Sequence, residues 1–121
     1  MEKRSNGIIM EIQEIERKLS ELPNSIYEAG KKALDAEKEY KLEELTFDVA
    51  FAQALVESTA SSATQKKAEA VFITQPQKKA LINSEWKKEK EVLYAKALRD
   101  QWDSVRKLAN LEQERMRTQI N

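Results

Sequence analysis

From Ile8 onward, apolar side chains recur at alternating steps of four and three: Ile8, Ile12, Ile15, Leu19 and Leu22. An α-helix turns by about 100° per residue, so these steps hold all five on one stripe of a helix. Little in the chain opposes that conformation, because its 121 residues include only 2 Gly and 2 Pro. Abundant Glu, Lys, Ala and Leu then point to long helices and an all-α fold.

The breaks divide the chain. Pro23 lacks an amide donor and restricts Leu22 before it, so a first helix over 1–23 is expected to stop there. Ser25 and Glu28 have the spacing of a capping box, which restarts a long helix over 24–58. Ile26, Ala29, Ala33, Ala36 and Tyr40 form its first stripe; Leu42, Leu45, Val49, Ala52 and Val56 form a second, offset stripe. The offset implies a buried face that drifts, or contact with two neighbours.

Residues 58–64, reading STASSAT, mark the clearest connection, since Ser and Thr compete with helical hydrogen bonding through their own hydroxyls. Within the connecting region 59–76, Ser62 and Gln65 offer a cap for a short helix carrying Ala68, Val71 and Phe72 inward. Pro76 interrupts or kinks it, and Thr74 with Gln77 offers a cap for a final helix over 77–121. There Ala95, Leu98, Trp102, Val105, Ala109, Glu112 and Met116 keep the three-four rhythm that packing against another helix requires. The expectation is a single domain over 1–121: a long antiparallel, coiled-coil-like helical hairpin with a short N-terminal helix. A hairpin alone buries little, so two chains are expected to dimerise into a helical bundle.

Charge excludes several functions. The 21 Lys+Arg match 21 Asp+Glu, so no global field draws the chain to DNA or an acidic membrane, and no large acidic surface imitates DNA. The halves differ: residues 1–60 carry 8 cations and 13 carboxylates, a net of −5, and residues 61–121 carry 13 and 8, a net of +5. Paired in a hairpin, such helices would spend much of their charge on each other and select their register.

The chain has no Cys and no His, which removes disulfides, thiolate and imidazole ligands, Cys nucleophiles and the usual proton shuttle near neutral pH. Glu39/Glu43 and Glu85/Glu89 have the i,i+4 spacing of carboxylate ligands in helical bundles, but the accompanying Glu-x-x-His motif is missing. Gly30-Lys31-Lys32 lacks the upstream glycine and the Ser/Thr of a phosphate loop. Ser61 and Ser62 have no histidine to act as base. Neither catalysis nor a cofactor is expected. The run Ile8, Ile9, Met10 is broken by Glu11, Glu14 and Glu16, too soon for a membrane span or secretory core, so the expected compartment is the cytoplasm.

Binding residues remain as candidates. Ile8, Ile12, Ile15, Leu19, Phe47, Phe51 and Leu55 are candidates for burial between two copies. Tyr27, Tyr40, Trp86 and Tyr94 are candidates for contact with a protein partner. Lys78, Lys79, Lys87, Lys88, Lys90, Lys96 and Arg99, interleaved with aromatics, are the alternative: a nucleic-acid face. Two features weaken that alternative. Trp86, Tyr94 and Trp102 lie eight residues apart and rotate by roughly 80° at each step, which breaks up a stacking platform. Glu85, Glu89 and Glu91 would also oppose phosphate.

The succession of EAGKKALDAEKEYKLEEL, TASSATQKKAEA and KEVLYAKALRDQWDSVRKL resembles the layout of small helical-hairpin proteins encoded in phage and prophage early regions. The resemblance covers roughly residues 25–115. It implies an auxiliary protein that works by binding and dimerising, inhibiting or scaffolding a host or phage protein in the host cytoplasm. The alternative is an accessory protein of recombination or replication that touches nucleic acid.

Overall fold

The structure, a computed structural model, describes the backbone of residues 2–120 and the side chains of residues 12–119. It contains three helices: α1, Glu2–Glu57; α2, Ala63–Ile73; and α3, Gln75–Ile120. The all-α expectation holds, with no strand among the described residues. The chain forms two compact units, one of Met1–Gly30 with Leu93–Asn121 and the other of Lys31–Val92.

The expected separate N-terminal helix is corrected. α1 runs through Pro23 without a break, and Ser25 and Glu28 lie inside the helix and cap nothing. Proline inside a helix removes one hydrogen bond and crowds the carbonyl four residues back. Here Pro23 is exposed, so water can satisfy the carbonyl of Leu19, while Leu22 beside it is buried at 6% exposure. Packing of the apolar face therefore outweighs the local cost. Pro23→Ala is expected to raise the unfolding free energy by roughly 1–3 kcal/mol. An unchanged or lowered midpoint in chemical denaturation would contradict this.

Within the unit Met1–Gly30/Leu93–Asn121, the inward side of α1 is Ile12, Ile15, Leu19, Leu22, Ile26 and Ala29, all half-buried or buried. The inward side of α3 there is Ala95, Leu98, Trp102, Val105, Ala109 and Glu112, again at three-four spacing. Arg99 reaches to 4.0 Å from where a Cβ on Gly30 would stand, whereas Ile15 and Lys18 share a cavity with Val105, Leu108 and Leu111. The two segments are thus antiparallel.

Within the unit Lys31–Val92, the same count continues on α1 through Ala33, Ala36, Tyr40, Glu43, Phe47, Ala50 and Ala54, and on α3 through Gln77, Leu81, Ser84, Lys88 and Glu91. Lys78 meets Phe47, whereas further along α3 Lys87 and Lys88 meet Glu39 and Tyr40, further back on α1, so these segments too are antiparallel. The expected drift does not occur. Leu42, Leu45, Val49 and Val56 are 65%, 60%, 57% and 84% exposed, so the second stripe is an outer face.

The reversal follows local chemistry. Ser62 caps α2, its hydroxyl accepting from the Gln65 amide at 3.1 Å, as its spacing predicts. Thr74 is the C-cap of α2 and directly precedes α3, its carbonyl accepting from the Lys78 amide at 2.9 Å; its buried hydroxyl does not cap α3 through Gln77 but donates to the Ala70 carbonyl at 2.6 Å. Pro76 occupies the first turn of α3, where a missing amide costs nothing. The expected inward face of α2 is corrected as well. Ala70 is fully buried, whereas Val71 and Phe72 are 53% and 73% exposed and Ala68 is also exposed. The short helix packs through Lys66, Ala70 and Thr74, whose four-residue spacing carries small or flexible side chains inward.

Candidate interaction surface

Side-chain size is inverted between the inside and the outside. Among the described residues the buried apolar side chains are Leu22, Ala29, Ala36, Ala54, Ala70, Leu81, Ala95 and Val105, five of them alanine. Leu34, Leu42, Leu45, Val49, Val56, Phe72, Trp86 and Leu93 are all more than half exposed. Alanine lets helix backbones approach closely, so the seam contributes contact but withdraws little apolar area from water.

The candidates for burial between copies are largely engaged by their own chain. Ile12, Ile15 and Leu19 are half-buried on the inward side of α1, and the side chain of Ile8 lies outside those described. Phe47, Phe51 and Leu55 are half-buried, the two rings lying 5.9 Å apart with Lys78 Nζ 5.0 Å from the Phe47 centroid. The candidates for partner contact divide differently. Tyr27, Trp86 and Tyr94 are 67%, 73% and 56% exposed. Tyr40 is half-buried, and Lys88 Nζ sits 4.2 Å from its ring centroid. Desolvation raises the Tyr40 hydroxyl above its ordinary pKa of 10.0, reinforced by the neighbouring carboxylates of Glu44, Glu85 and Glu89. Its neutral form is therefore the one the fold favours.

The candidate nucleic-acid face is partly committed to the fold. Lys87 donates to Glu39 Oε2 at 3.0 Å, and that hydrogen bond and charge raise its pKa above 10.5. Lys78 lies over the Phe47 ring and Lys88 over the Tyr40 ring. Lys79, Lys90, Lys96 and Arg99 are exposed and carry no ion pair among the described residues.

The expected mutual consumption of charge is corrected here. Among the described residues, Lys87–Glu39 is the one ion pair between helices. The others are i,i+3 or i,i+4 pairs along one helix, such as Arg17 with Glu14 and Glu21, and Lys41 with Glu37. The side chains of α1 and α3 that meet are mostly Ala, Ile and Leu, so most opposite charges stand too far apart to pair. The surplus on each helix remains on the surface.

Two cavities adjoin these faces. One of about 380 Å³ lies between the end of α1, α2 and the start of α3, where Gln53 donates to Glu57 and Ser58 donates to Glu69. The buried Gln77 Oε1 beside it accepts no hydrogen bond. The other, about 420 Å³, is bordered by Ile15, Val105, Leu108 and Leu111. Glu112 Oε2 there is buried without a hydrogen bond; Arg115 lies 3.2 Å away but off the hydrogen-bonding direction. Among the described residues no three carboxylates converge as metal ligands, and no helix is long and apolar enough to cross a membrane.

The sequence pattern singles out Trp86, Tyr27 and Tyr94 but not Leu34 or Ile82, and it reads Leu42, Leu45, Val49, Val56, Val71 and Phe72 as core. The available signal was a shift of two residues from the seam, equal to a rotation of about 200°. Set against protein-family models, curated proteins and solved structures, the chain matches none of them.

Proposed function

We propose that the chain is a non-enzymatic helical interaction protein of the phage-auxiliary kind. In this reading it extends its seam into a coiled-coil-like hairpin, self-associates, and inhibits or scaffolds a protein target in the host cytoplasm. The observation that carries the reading is the inverted size distribution: alanine predominates in the core while Trp86, Phe72 and a row of Leu and Val face water. Isolated apolar side chains on a surface are ordinary, but a contiguous row marks a surface that acts by being covered.

Target contact is assigned to Tyr27, Trp86 and Tyr94, aromatic residues of the type that anchors interfaces. Tyr40 takes no part in that assignment, because its ring is occupied by Lys88. The free cations Lys79, Lys90, Lys96 and Arg99 favour the second reading, an accessory protein contacting nucleic acid.

Immobilised wild-type chain is expected to retain a specific protein from its host's extract, and Tyr27→Ser/Trp86→Ser/Tyr94→Ser to release it with helicity unchanged. Equal retention by the variant would refute the assignment. Filter binding of single-stranded and duplex DNA at low salt tests the second reading, which falls if no complex forms.

A further inference from the structure

We infer that two outer faces of the unit Lys31–Val92 dock onto each other between copies of this chain, α1 of one copy against α3 of the next. The first face is Leu42, Leu45, Val49, Ala52 and Val56 on α1, which repeats the three-four count of the seam two residues out of phase. Two residues equal about 200° of rotation, so this stripe lies on the side of α1 opposite Tyr40, Glu43, Phe47, Ala50 and Ala54. It has the apolar spacing of a coiled-coil seam and faces solvent. The second face, on α3, is Ile82 and Trp86 with Lys79 and Lys90 on either side. It lies opposite Leu81, Ser84 and Lys88 by the same arithmetic, with Ile82 43% and Trp86 73% exposed.

Charge decides the occupant. Residues 42–57 contain Glu43, Glu44, Asp48 and Glu57 and no cation, a net of −4. Residues 78–90 contain five lysines against Glu85 and Glu89, a net of +3. Lys87, Lys88 and Lys78 are held by Glu39, Tyr40 and Phe47, which leaves Lys79 and Lys90 beside the exposed Trp86. Glu43 lies on the inward side, so an α1-to-α1 contact would bring the exposed Glu44, Asp48 and Glu57 against their like, whereas α1 against α3 pairs opposite signs and places a Trp on an all-aliphatic stripe. Each face points away from the other helix of its own unit, so one chain cannot join them to each other. The complementary surface is present on a second copy, and the contact is head-to-tail, which closes into a ring or continues.

This inference rests on reading the exposed helix faces as binding faces, but it places Trp86 in the contact between copies and leaves Tyr27 and Tyr94 for the target, and mixing variants tests it separately from that reading. Leu45→Gln/Val49→Gln disables the α1 face and Ile82→Gln/Trp86→Gln disables the α3 face; all four positions are exposed, and far-UV circular dichroism checks that helicity is kept. In sedimentation equilibrium, wild type is expected to gain mass with concentration and lose it with added salt. Each variant alone should associate at least about tenfold more weakly, the loss that follows from truncating an interface anchor. The two mixed in equal amounts should form a complex that stops at two chains, because each supplies the face the other lacks. Should either variant lose helicity, the milder Lys79→Gln/Lys90→Gln is expected to weaken wild-type association and flatten its salt dependence. A monomeric wild type overturns the inference, as does a mixture that fails to pair, or association lost in the α1 variant and kept in the α3 variant. A monomer that still captures a host protein would leave the interaction reading standing.

Discussion

Leu22→Ala is expected to lower the free energy of unfolding by about 2–5 kcal/mol, the cost of deleting most of a buried leucine and leaving a cavity. Leu22 is 6% exposed and is one of only two buried leucines among the described residues. Its neighbours on the seam, Leu19 and Ile26, are half-buried and cannot fill the void without giving up contacts of their own. A domain of this size is stable by only about 5–15 kcal/mol, so the change removes a large share of the total. Urea denaturation followed by circular dichroism reads it directly. Leu34→Ala, at a site 60% exposed, is the control and should stay within about 0.5 kcal/mol of wild type. Equal losses at the two positions would mean that burial in the seam does not govern stability.

The second large effect is the reverse operation. Ala36 is 2% exposed, on the inward side of α1 between Ala33 and Tyr40. A leucine there would gain roughly 1.5–3 kcal/mol from burial if space were open. The close approach of α3 leaves no such space, and forcing the extra atoms in costs about 1–3 kcal/mol instead. Ala36→Leu is therefore expected to unfold at lower denaturant than wild type. A higher midpoint would show that the alanine seam is loosely packed and would also remove the argument that close packing, rather than apolar area, holds the helices together.

The parts of this fold that could be read in advance are those set by periodicity. The three-four count from Ile12 to Tyr40 identifies the inward side of α1, and Ala95 to Glu112 does the same for α3, because burial on a helix depends on angle alone. The Ser62 cap was legible for the same reason: a hydroxyl three residues before an amide meets it whenever a helix starts there. Pro23 misled because its local cost is real, yet smaller than the packing of Leu19, Leu22 and Ile26 on either side. The apolar residues 42–56 misled because pattern identifies a stripe but not whether anything covers it. Val71 and Phe72 misled through size, since the tight turn admits Ala70 where a larger side chain would not fit. Of the candidate surface, Tyr27, Trp86 and Tyr94 were legible as large side chains that the seam does not use. The engagement of Lys78, Lys87 and Lys88 was not, because it depends on which residue of α1 each one meets.

The reversal between α1 and α3 sets an order of assembly. Its contacts are local: the Ser62 hydroxyl on Gln65, the Thr74 hydroxyl on Ala70 and the Thr74 carbonyl accepting from Lys78. These close before any long loop must, and the entropy of closing a loop grows with its length. Lys78 on Phe47 follows at moderate separation, then Lys87 on Glu39, and within the other unit Ile15 faces Val105 and Leu111 across one cavity, residues some 90 or more apart in the chain. Within the unit Lys31–Val92, folding is therefore expected to start at residues 58–78, where the contacts are most local. A substitution in the reversal should slow folding, while one at Leu22 should chiefly speed unfolding.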